Sequence, residues 1–253
     1  MPYLRAKNIY LSYPLIDKVK RAPKIHMPGE TVVGAELNDR HQKDLAVVKD
    51  VSFSLKDGDR LAIVGPNGAG KSSLLNVLSG IYEPTKGVLE SEGSVSAVFN
   101  IGLGMRREAN GYRNIELRCL MAGLGKSEIQ RVTRDVENFS GLGEFLHLPV
   151  KLYSRGMALR LNFALVTAMR ADIVLMDEWI GAGDKEFRAK VIERMHDFVG
   201  SASIVVLTSH NTRLLQRVCN YALWIERGNV IKYGDAVSVI EEYRDDKEKD
   251  GKT

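Results

Sequence analysis

The chain has 253 residues, of which 44% are hydrophobic and 27% are charged, the composition of an ordinary globular protein that can bury a substantial core. Its formal net charge of +4 is too small to indicate a nucleic-acid partner and allows only a weak attraction to phosphates or to an anionic membrane surface. The apolar runs are far too short to cross a bilayer and the two cysteines show no pairing or metal-ligand spacing, so we expect a protein of a reducing cytoplasm whose role at a membrane is peripheral.

The first third of the chain predicts two strands separated by an insertion. Residues 4–13 and 47–55 alternate apolar and polar positions, as half-buried strands do, and they predict an antiparallel edge region. The insertion at residues 14–44 mixes charges of both signs with proline and glycine, which predicts an irregular segment with at most a short helix. Residues 60–64 are a short apolar run before a glycine-rich turn and a helical stretch, so a strand, a loop and a helix follow.

The rest of the chain predicts a helical lobe, two buried strands and a charged tail. Residues from about 105 to 168 have mainly helical apolar spacing, with Ser127 as the expected N-cap of one helix. Residues 173–176 and 204–208 are continuous apolar runs, typical of central strands in a parallel sheet covered on both faces. Residues 244–253 carry many charges and are expected to be disordered or the solvated end of a helix. The predicted fold is α/β, in one domain of residues 1–243.

A phosphate-binding loop follows the strand at residues 60–64. The pattern G-x-x-x-x-G-K-S/T is matched by Gly65, Pro66, Asn67, Gly68, Ala69, Gly70, Lys71 and Ser72. Small residues in this pattern let backbone N–H groups point at the phosphate chain of a nucleotide such as ATP. Lys71 is expected to contact the outer phosphates and Ser72 to ligate Mg²⁺. A plain glycine turn is the alternative, but the strand before the loop and the helix after it favour nucleotide binding.

Polar side chains end both of the later strands. Asp177 and Glu178 follow residues 173–176, and the end of a parallel strand is where ligands meet an α/β sheet. Asp177 is expected to hold Mg²⁺ through water and Glu178 to orient or deprotonate the attacking water, although an acidic strand end can also be a helix cap. His210 ends the next strand at the same edge and is either a contact of the γ-phosphate or an ordinary surface or packing residue.

These elements, in this order over residues 4 to about 243, resemble the ATP-binding cassette family. The discriminating segment is Tyr153-Ser154-Arg155-Gly156-Met157, which stands where that family carries its signature, usually Leu-Ser-Gly-Gly-Gln. Ser154 and Gly156 match this motif, which clamps the γ-phosphate of ATP held by the opposite subunit. The resemblance therefore implies the fold of a P-loop ATPase domain, with a parallel core sheet, an antiparallel β edge region and a helical lobe. It also implies ATP and Mg²⁺ and a homodimer that sandwiches two nucleotides.

The resemblance assigns further positions. The adenine-stacking aromatic is expected at Tyr13, with Tyr10 as the alternative, and Ser73 joins the nucleotide-binding residues. Asn100 stands where the family has a glutamine that senses Mg²⁺ and nucleotide, or is a turn residue beside two glycines. Asp184 matches an aspartate that organises contacts across the dimer, and it can also cap a helix. Arg155 replaces a signature glycine, and either strengthens the clamp or extends into solvent.

Several runs resemble one branch of the family, the ATPases that export O-antigen, capsule and other lipid-linked polysaccharides. Besides the signature, these runs are Gly111-x-Arg113-Asn114-Ile115, Gly183-Asp184-x-x-Phe187-x-x-Lys190 and Ser209-His210-Asn211. The branch implies a permease of about six spans in two copies, at the cytoplasmic face of the bacterial inner membrane, and no nucleic acid. The insertion at residues 14–44 would then face the permease and its lipid-linked substrate, or form a solvated loop.

The sequence is also compatible with three other functions. An ATPase of this family can power the export of another substrate, or act without a membrane on ribosomes or DNA, although such proteins usually carry two cassettes or long coiled coils. A P-loop kinase is the third, and it leaves the signature at Ser154 and the Gly183-Asp184 segment unexplained.

Overall fold

The computed structural model describes residues 1–14, 44–99, 104–178 and 185–250. Almost all of the insertion, and the predicted site residues Asn100 and Asp184, lie outside the described residues. The strands are β1 (Tyr3–Pro14), β2 (Asp44–Lys56), β3 (Arg60–Val64), β4 (Lys86–Glu92), β5 (Val95–Ala97), β6 (Ile173–Asp177), β7 (Ile204–Thr208), β8 (Tyr221–Glu226) and β9 (Asn229–Asp235). The α-helices are α1 (Lys71–Leu78), α2 (Gly111–Met121), α3 (Lys126–Ser140), α4 (Arg155–Ala168), α5 (Lys185–Gly200), α6 (Thr212–Val218) and α7 (Ala236–Asp250), with 3₁₀ turns at Gly143–His147 and Val150–Leu152. None of the helices in these ranges is long and apolar enough to span a membrane.

The strands form one sheet in the order β4-β1-β2-β9-β8-β3-β7-β6-β5. Strands β1, β2 and β4 pair antiparallel at one end, whereas β8, β3, β7, β6 and β5 are parallel neighbours. The predicted antiparallel edge region and parallel core are confirmed. The parallel arrangement brings the carboxyl ends of β3, β6 and β7 to the same edge of the sheet.

The core strands are buried on both faces. In β6, Ile173 and Leu175 pack into the apolar cluster that contains the buried residues of α1. Val174 and Met176 pack into a second cluster, which contains buried residues of α4, α5 and α7. Successive side chains of a strand point to opposite faces, so a strand covered by helices on both sides needs an apolar residue at every position.

The helical lobe has an apolar cluster of its own. Buried residues of α2, α3 and α4 meet there, among them Ile115, Cys119, Val132, Val136 and Leu161. The predicted N-cap of α3 is wrong, because the cap is Gly125 and Ser127 lies inside the first turn. The backbone N–H of Gly125 donates to the side chain of Glu128 over 3.0 Å, so the helix begins before the serine.

The last helix includes most of the charged tail. Helix α7 continues through Asp250, so disorder is the wrong alternative for residues 244–250 and a solvated helix end is the right one. Val239 and Ile240 are fully buried, and the ring of Tyr243 meets that of Trp224 edge-on at 5.6 Å. These apolar contacts fix the first two turns, and the charged residues extend the same helix into solvent.

Candidate nucleotide site

The glycines of the phosphate-binding loop are required by close backbone approaches. At Gly65, φ is +152° and a Cβ atom would lie 2.0 Å from the carbonyl oxygen of Ile225 in β8. At Gly70, φ is +106° and a Cβ atom would lie 2.5 Å from the carbonyl oxygen of Val47 in β2. Neither position can take a side chain without moving a strand, so the neighbouring strands fix the shape of the loop between β3 and α1.

Lys71 lies against the loop that precedes it. Its Nζ donates to the carbonyl oxygens of Gly65 at 2.8 Å and Pro66 at 2.9 Å. Burial lowers the pKa of the Lys71 ammonium, the carboxylates of Asp177 and Glu178 raise it, and the charge of Lys247 lowers it. An ammonium that is partly desolvated and hydrogen-bonded to neutral carbonyls can exchange them for phosphate oxygens.

A hydroxyl and a carboxylate meet at the predicted magnesium position. The Oγ of Ser72 donates to Oδ2 of Asp177 over 2.5 Å, and the Oγ1 of Thr208 donates to Oδ1 of the same carboxylate. Mg²⁺ prefers oxygen ligands and is usually bound through one or two carboxylates, water and substrate phosphates. Ser72 and Asp177 therefore fit Mg²⁺. Thr208 was not predicted, because the sequence shows it only as a polar residue at the end of an apolar strand, and its pairing with Asp177 follows from the register of the two strands.

Glu178 has an unusual backbone. Its φ of +64° places a residue with a side chain in the left-handed region, where strain is often found at functional sites. Its backbone N–H donates to the carbonyl oxygen of Thr208 over 3.1 Å, which ties the position to β7. The Oε1 of Glu178 lies 3.4 Å from Nε2 of His210. The carboxylate and the imidazole are thus neighbours at the edge of the sheet.

One pocket of about 430 Å³ brings together nine of the predicted site residues. Its lining consists of Val47, Asn67, Gly68, Gly70, Lys71, Ser72, Ser73, Asp177, Glu178 and His210. Gly65, Pro66 and Ala69 complete the loop beside it without lining this pocket. Val47 was missed by the sequence analysis, because an apolar residue in a strand carries no signal for a site.

Two further groups of predicted residues, the tyrosines and the signature segment, do not line this pocket. The ring of Tyr13 meets that of Tyr82 edge-on at 6.0 Å, and the alternative, Tyr10, has Lys86 Nζ 5.9 Å from its ring centre. Ser154, Arg155 and Gly156 are exposed at the start of α4 and are likewise absent from the lining.

Ser154 also has a structural role. Its side chain accepts a hydrogen bond from the backbone N–H of Met157 at 3.2 Å, which makes it the N-cap of α4. This bond fixes the first turn of the helix, with the neighbouring Arg155 and Gly156 exposed on the surface of the lobe.

The family model described as ABC transporter matches residues 48–181, which include the phosphate-binding loop, the signature segment and both carboxylates. This chain belongs to the ABC transporter family. The O-antigen export ATP-binding protein RfbE of Yersinia enterocolitica is 35% identical to this cassette, over 95% of the cassette and 100% of RfbE. RfbB of Klebsiella pneumoniae, named for the same kind of system, is 36% identical over 78% of the cassette and 80% of RfbB.

Longer relatives and solved structures are similar to the same cassette. The teichoic acids export ATP-binding protein TagH of Shouchella clausii is 35% identical over 80% of the cassette, which spans 56% of TagH. A solved ATP-binding subunit of an ABC transporter aligns with a TM-score of 0.68 at 19% identity, over 95% of this chain and 92% of the other. A post-hydrolysis cassette dimer bound to ADP and Pi aligns with a TM-score of 0.64 at 18% identity, over 92% of this chain and 98% of the other. These structures support the fold, and the expected cassette fold is confirmed.

Proposed function

We propose that this cassette is the ATP-hydrolysing subunit of a bacterial exporter of lipid-linked polysaccharide, of the O-antigen, capsule or teichoic acid type. The observation that carries the proposal is the convergence of Lys71, Asp177, Glu178 and His210 at one pocket. It occurs in a chain that matches an O-antigen export ATP-binding protein over 95% of its own length.

The pocket residues have distinct roles in this proposal. Lys71 would leave the carbonyl oxygens of the loop and bind the outer phosphates of ATP. Ser72 and Asp177 would hold Mg²⁺, together with Asn100, and the ion when bound would neutralise phosphate charge. Glu178 would orient and deprotonate the attacking water, a contribution of about 10²–10⁴-fold for a positioned general base. His210, 3.4 Å from Glu178, would contact the γ-phosphate.

A second copy of the chain would complete the site. Ser154, Arg155 and Gly156 are exposed and lie outside the pocket of their own subunit, so they are free to meet a nucleotide held by another copy. We therefore propose a homodimer with two ATP molecules between its subunits, in which Asp184 contacts the partner. Tyr13 is assigned to the adenine, at the end of β1.

ATPases of ABC exporters work with membrane permeases, and we propose one of about six spans, present in two copies, for this cassette. Its place would be the cytoplasmic face of the inner membrane, where lipid-linked polysaccharide is available. The names of RfbE, RfbB and TagH support this class of cargo.

The dimer is tested in a variant that binds ATP without hydrolysing it, Glu178→Gln. Its molar mass should double when ATP and Mg²⁺ are added, as measured by light scattering after size exclusion. Adding Arg155→Ala should raise the ATP concentration needed for dimerisation, because a cation facing the γ-phosphate is lost. Arg134→Ala is the matched control, since Arg134 is an exposed arginine of the same lobe. An equal effect of the two changes would refute a clamp role for Arg155.

The transport role is tested by co-purification and in cells. A membrane protein of about six spans should co-purify with this chain and stimulate its ATPase activity. Cells in which Glu178→Gln replaces the natural chain should lose surface polysaccharide and accumulate the lipid-linked precursor. An active ATPase that never associates with membranes, or cells with normal surface polysaccharide, would contradict the proposal.

A further inference from the structure

A second pocket lies beside the nucleotide pocket, on the side of helix α7. Its volume is about 160 Å³, and Lys71 and His210 line it as well as the nucleotide pocket. These two side chains therefore border both the pocket expected for the γ-phosphate and the smaller space next to it. Arg244 and Lys247, from the charged end of α7, line the far side.

The lining of this second pocket suits an anion. Lys71, Arg244 and Lys247 contribute positive charge, and the hydroxyls of Ser209 and Thr212 add hydrogen-bond donors. No carboxylate of the described residues is part of the lining. An arginine fork combined with ammonium groups and hydroxyls is a typical environment for a phosphate oxyanion.

The charge of α7 reaches the phosphate-binding loop. Lys247 and Arg244 of this helix line the second pocket together with Gly65 and Lys71 of the loop. Helix α7 is anchored at this point, because Tyr243 is buried against Trp224, and Lys247 Nζ lies 6.0 Å from the ring centre of Tyr243. The two cations of α7 are thus presented to the pocket by a packed helix.

The size of the pocket limits the ligand. Its volume of about 160 Å³ is well below the 430 Å³ of the nucleotide pocket. Pockets for drug-sized ligands usually measure ~300–1,000 Å³, so a nucleotide is too large for this space. A single tetrahedral oxyanion fits the available volume and the available charge.

We propose that the pocket between the phosphate-binding loop and α7 binds inorganic phosphate, with Arg244 and Lys247 as its ligands. The inference rests on the proposed function, since ATP hydrolysis supplies the phosphate next to Lys71 and His210. These shared side chains pass the product from the nucleotide pocket to the cations of α7, from where it leaves the protein while ADP is still bound.

Phosphate binding to the ADP-saturated protein tests the proposal without any hydrolysis. The Kd of inorganic phosphate is measured by isothermal titration calorimetry or by ³¹P NMR, in the natural protein and in Arg244→Gln/Lys247→Gln. We expect a Kd about 10- to 100-fold higher in the double variant, because two charge-assisted contacts are lost, with an unchanged Kd for ADP. Both residues are exposed, and glutamine keeps the helix intact.

A double variant of equal charge is the control. Lys56→Gln/Arg134→Gln removes two exposed cations, one at the end of β2 and one on α3, and should leave the Kd of phosphate unchanged. If both double variants bound phosphate equally weakly, the effect would come from net charge alone, and the proposal would be overturned. An unchanged phosphate Kd in the α7 variant would also overturn it, and so would a parallel loss of ADP affinity, which would assign the cations to the nucleotide. Normal ATP hydrolysis together with any of these results would refute the phosphate site and leave the proposed function standing.

Discussion

Replacing Glu178 with glycine is expected to stabilise the protein while it removes the proposed catalytic base. Glu178 holds a φ of +64°, and a residue with a side chain loses about 1–2 kcal/mol in the left-handed conformation. Glycine avoids this strain, but its more flexible unfolded chain offsets about 0.5–1 kcal/mol of the gain. The free energy of unfolding of Glu178→Gly should therefore rise by about 0.5–1 kcal/mol.

The proper reference for this effect is Glu178→Gln. Both variants lose the carboxylate and its 3.4 Å contact with His210. The effect of losing that contact on stability is therefore the same in both variants and cancels when they are compared. Glutamine keeps the Cβ atom and with it the backbone strain. A change of 1 kcal/mol moves the Tm of a domain of this size by about 2–4 °C, so the glycine variant should unfold about 1–4 °C above the glutamine variant.

Calorimetry without nucleotide measures this difference, and an ATPase assay accompanies it. Both variants should hydrolyse ATP about 10²–10⁴-fold more slowly than the natural protein. A glycine variant that unfolds at or below the Tm of the glutamine variant would refute the strain at Glu178. ATPase activity near that of the natural protein in the glutamine variant would refute its role as the base.

Two further predictions concern the helical lobe and the thiols. Asp135→Asn should lower the free energy of unfolding by about 1–3 kcal/mol, between the values for exposed and buried pairs. The reason is that the ion pair is only partly exposed, with 33% of the Asp135 side chain and 22% of the Arg194 side chain accessible. Chemical denaturation measures the change in the free energy of unfolding. A loss below about 0.3 kcal/mol would contradict the prediction. Burial raises the pKa of the Cys219 thiol to about 12 and also raises that of Cys119. Alkylation of the folded protein at pH 8 should therefore be slow at both residues by mass spectrometry, and complete in guanidinium; rapid labelling of the folded form would count against this burial.

The site was predictable where a local pattern fixes both structure and chemistry. The run at residues 65–72 specifies a loop that only small residues can form, and an apolar strand that ends in Asp177 and Glu178 specifies an edge of the sheet. Thr208 was missed because its importance depends on pairing with Asp177 across two strands. The sequence of one strand does not determine its register with a second strand that is distant in the chain.

For the end of the chain, the sequence left two alternatives open, disorder and the solvated end of a helix, for a related reason. The composition of residues 244–253 favours disorder, but the path of α7 is set by the contact of Tyr243 with Trp224 in β8. A helix anchored by tertiary packing continues beyond its last apolar residue if no helix breaker stops it. The cations that line the second pocket are placed by this packing, so composition alone cannot reveal them.

The apolar cluster of the helical lobe affects which part of the subunit unfolds first. The phosphate-binding loop and the carboxylates stand on β3, β6 and β7, whose fully buried residues should exchange amide hydrogens only when the whole protein unfolds. Ser154 caps α4, and the α4 residues Leu161, Ala164, Leu165 and Ala168 belong to the cluster of the lobe. Helix α4 also places Phe163 and Val166 in the core cluster, so it joins the lobe to the core. The part of the lobe formed by α2 and α3 would then loosen first, while the nucleotide pocket stays formed. A single subunit would in that case retain ATP under conditions where it no longer pairs with a second copy.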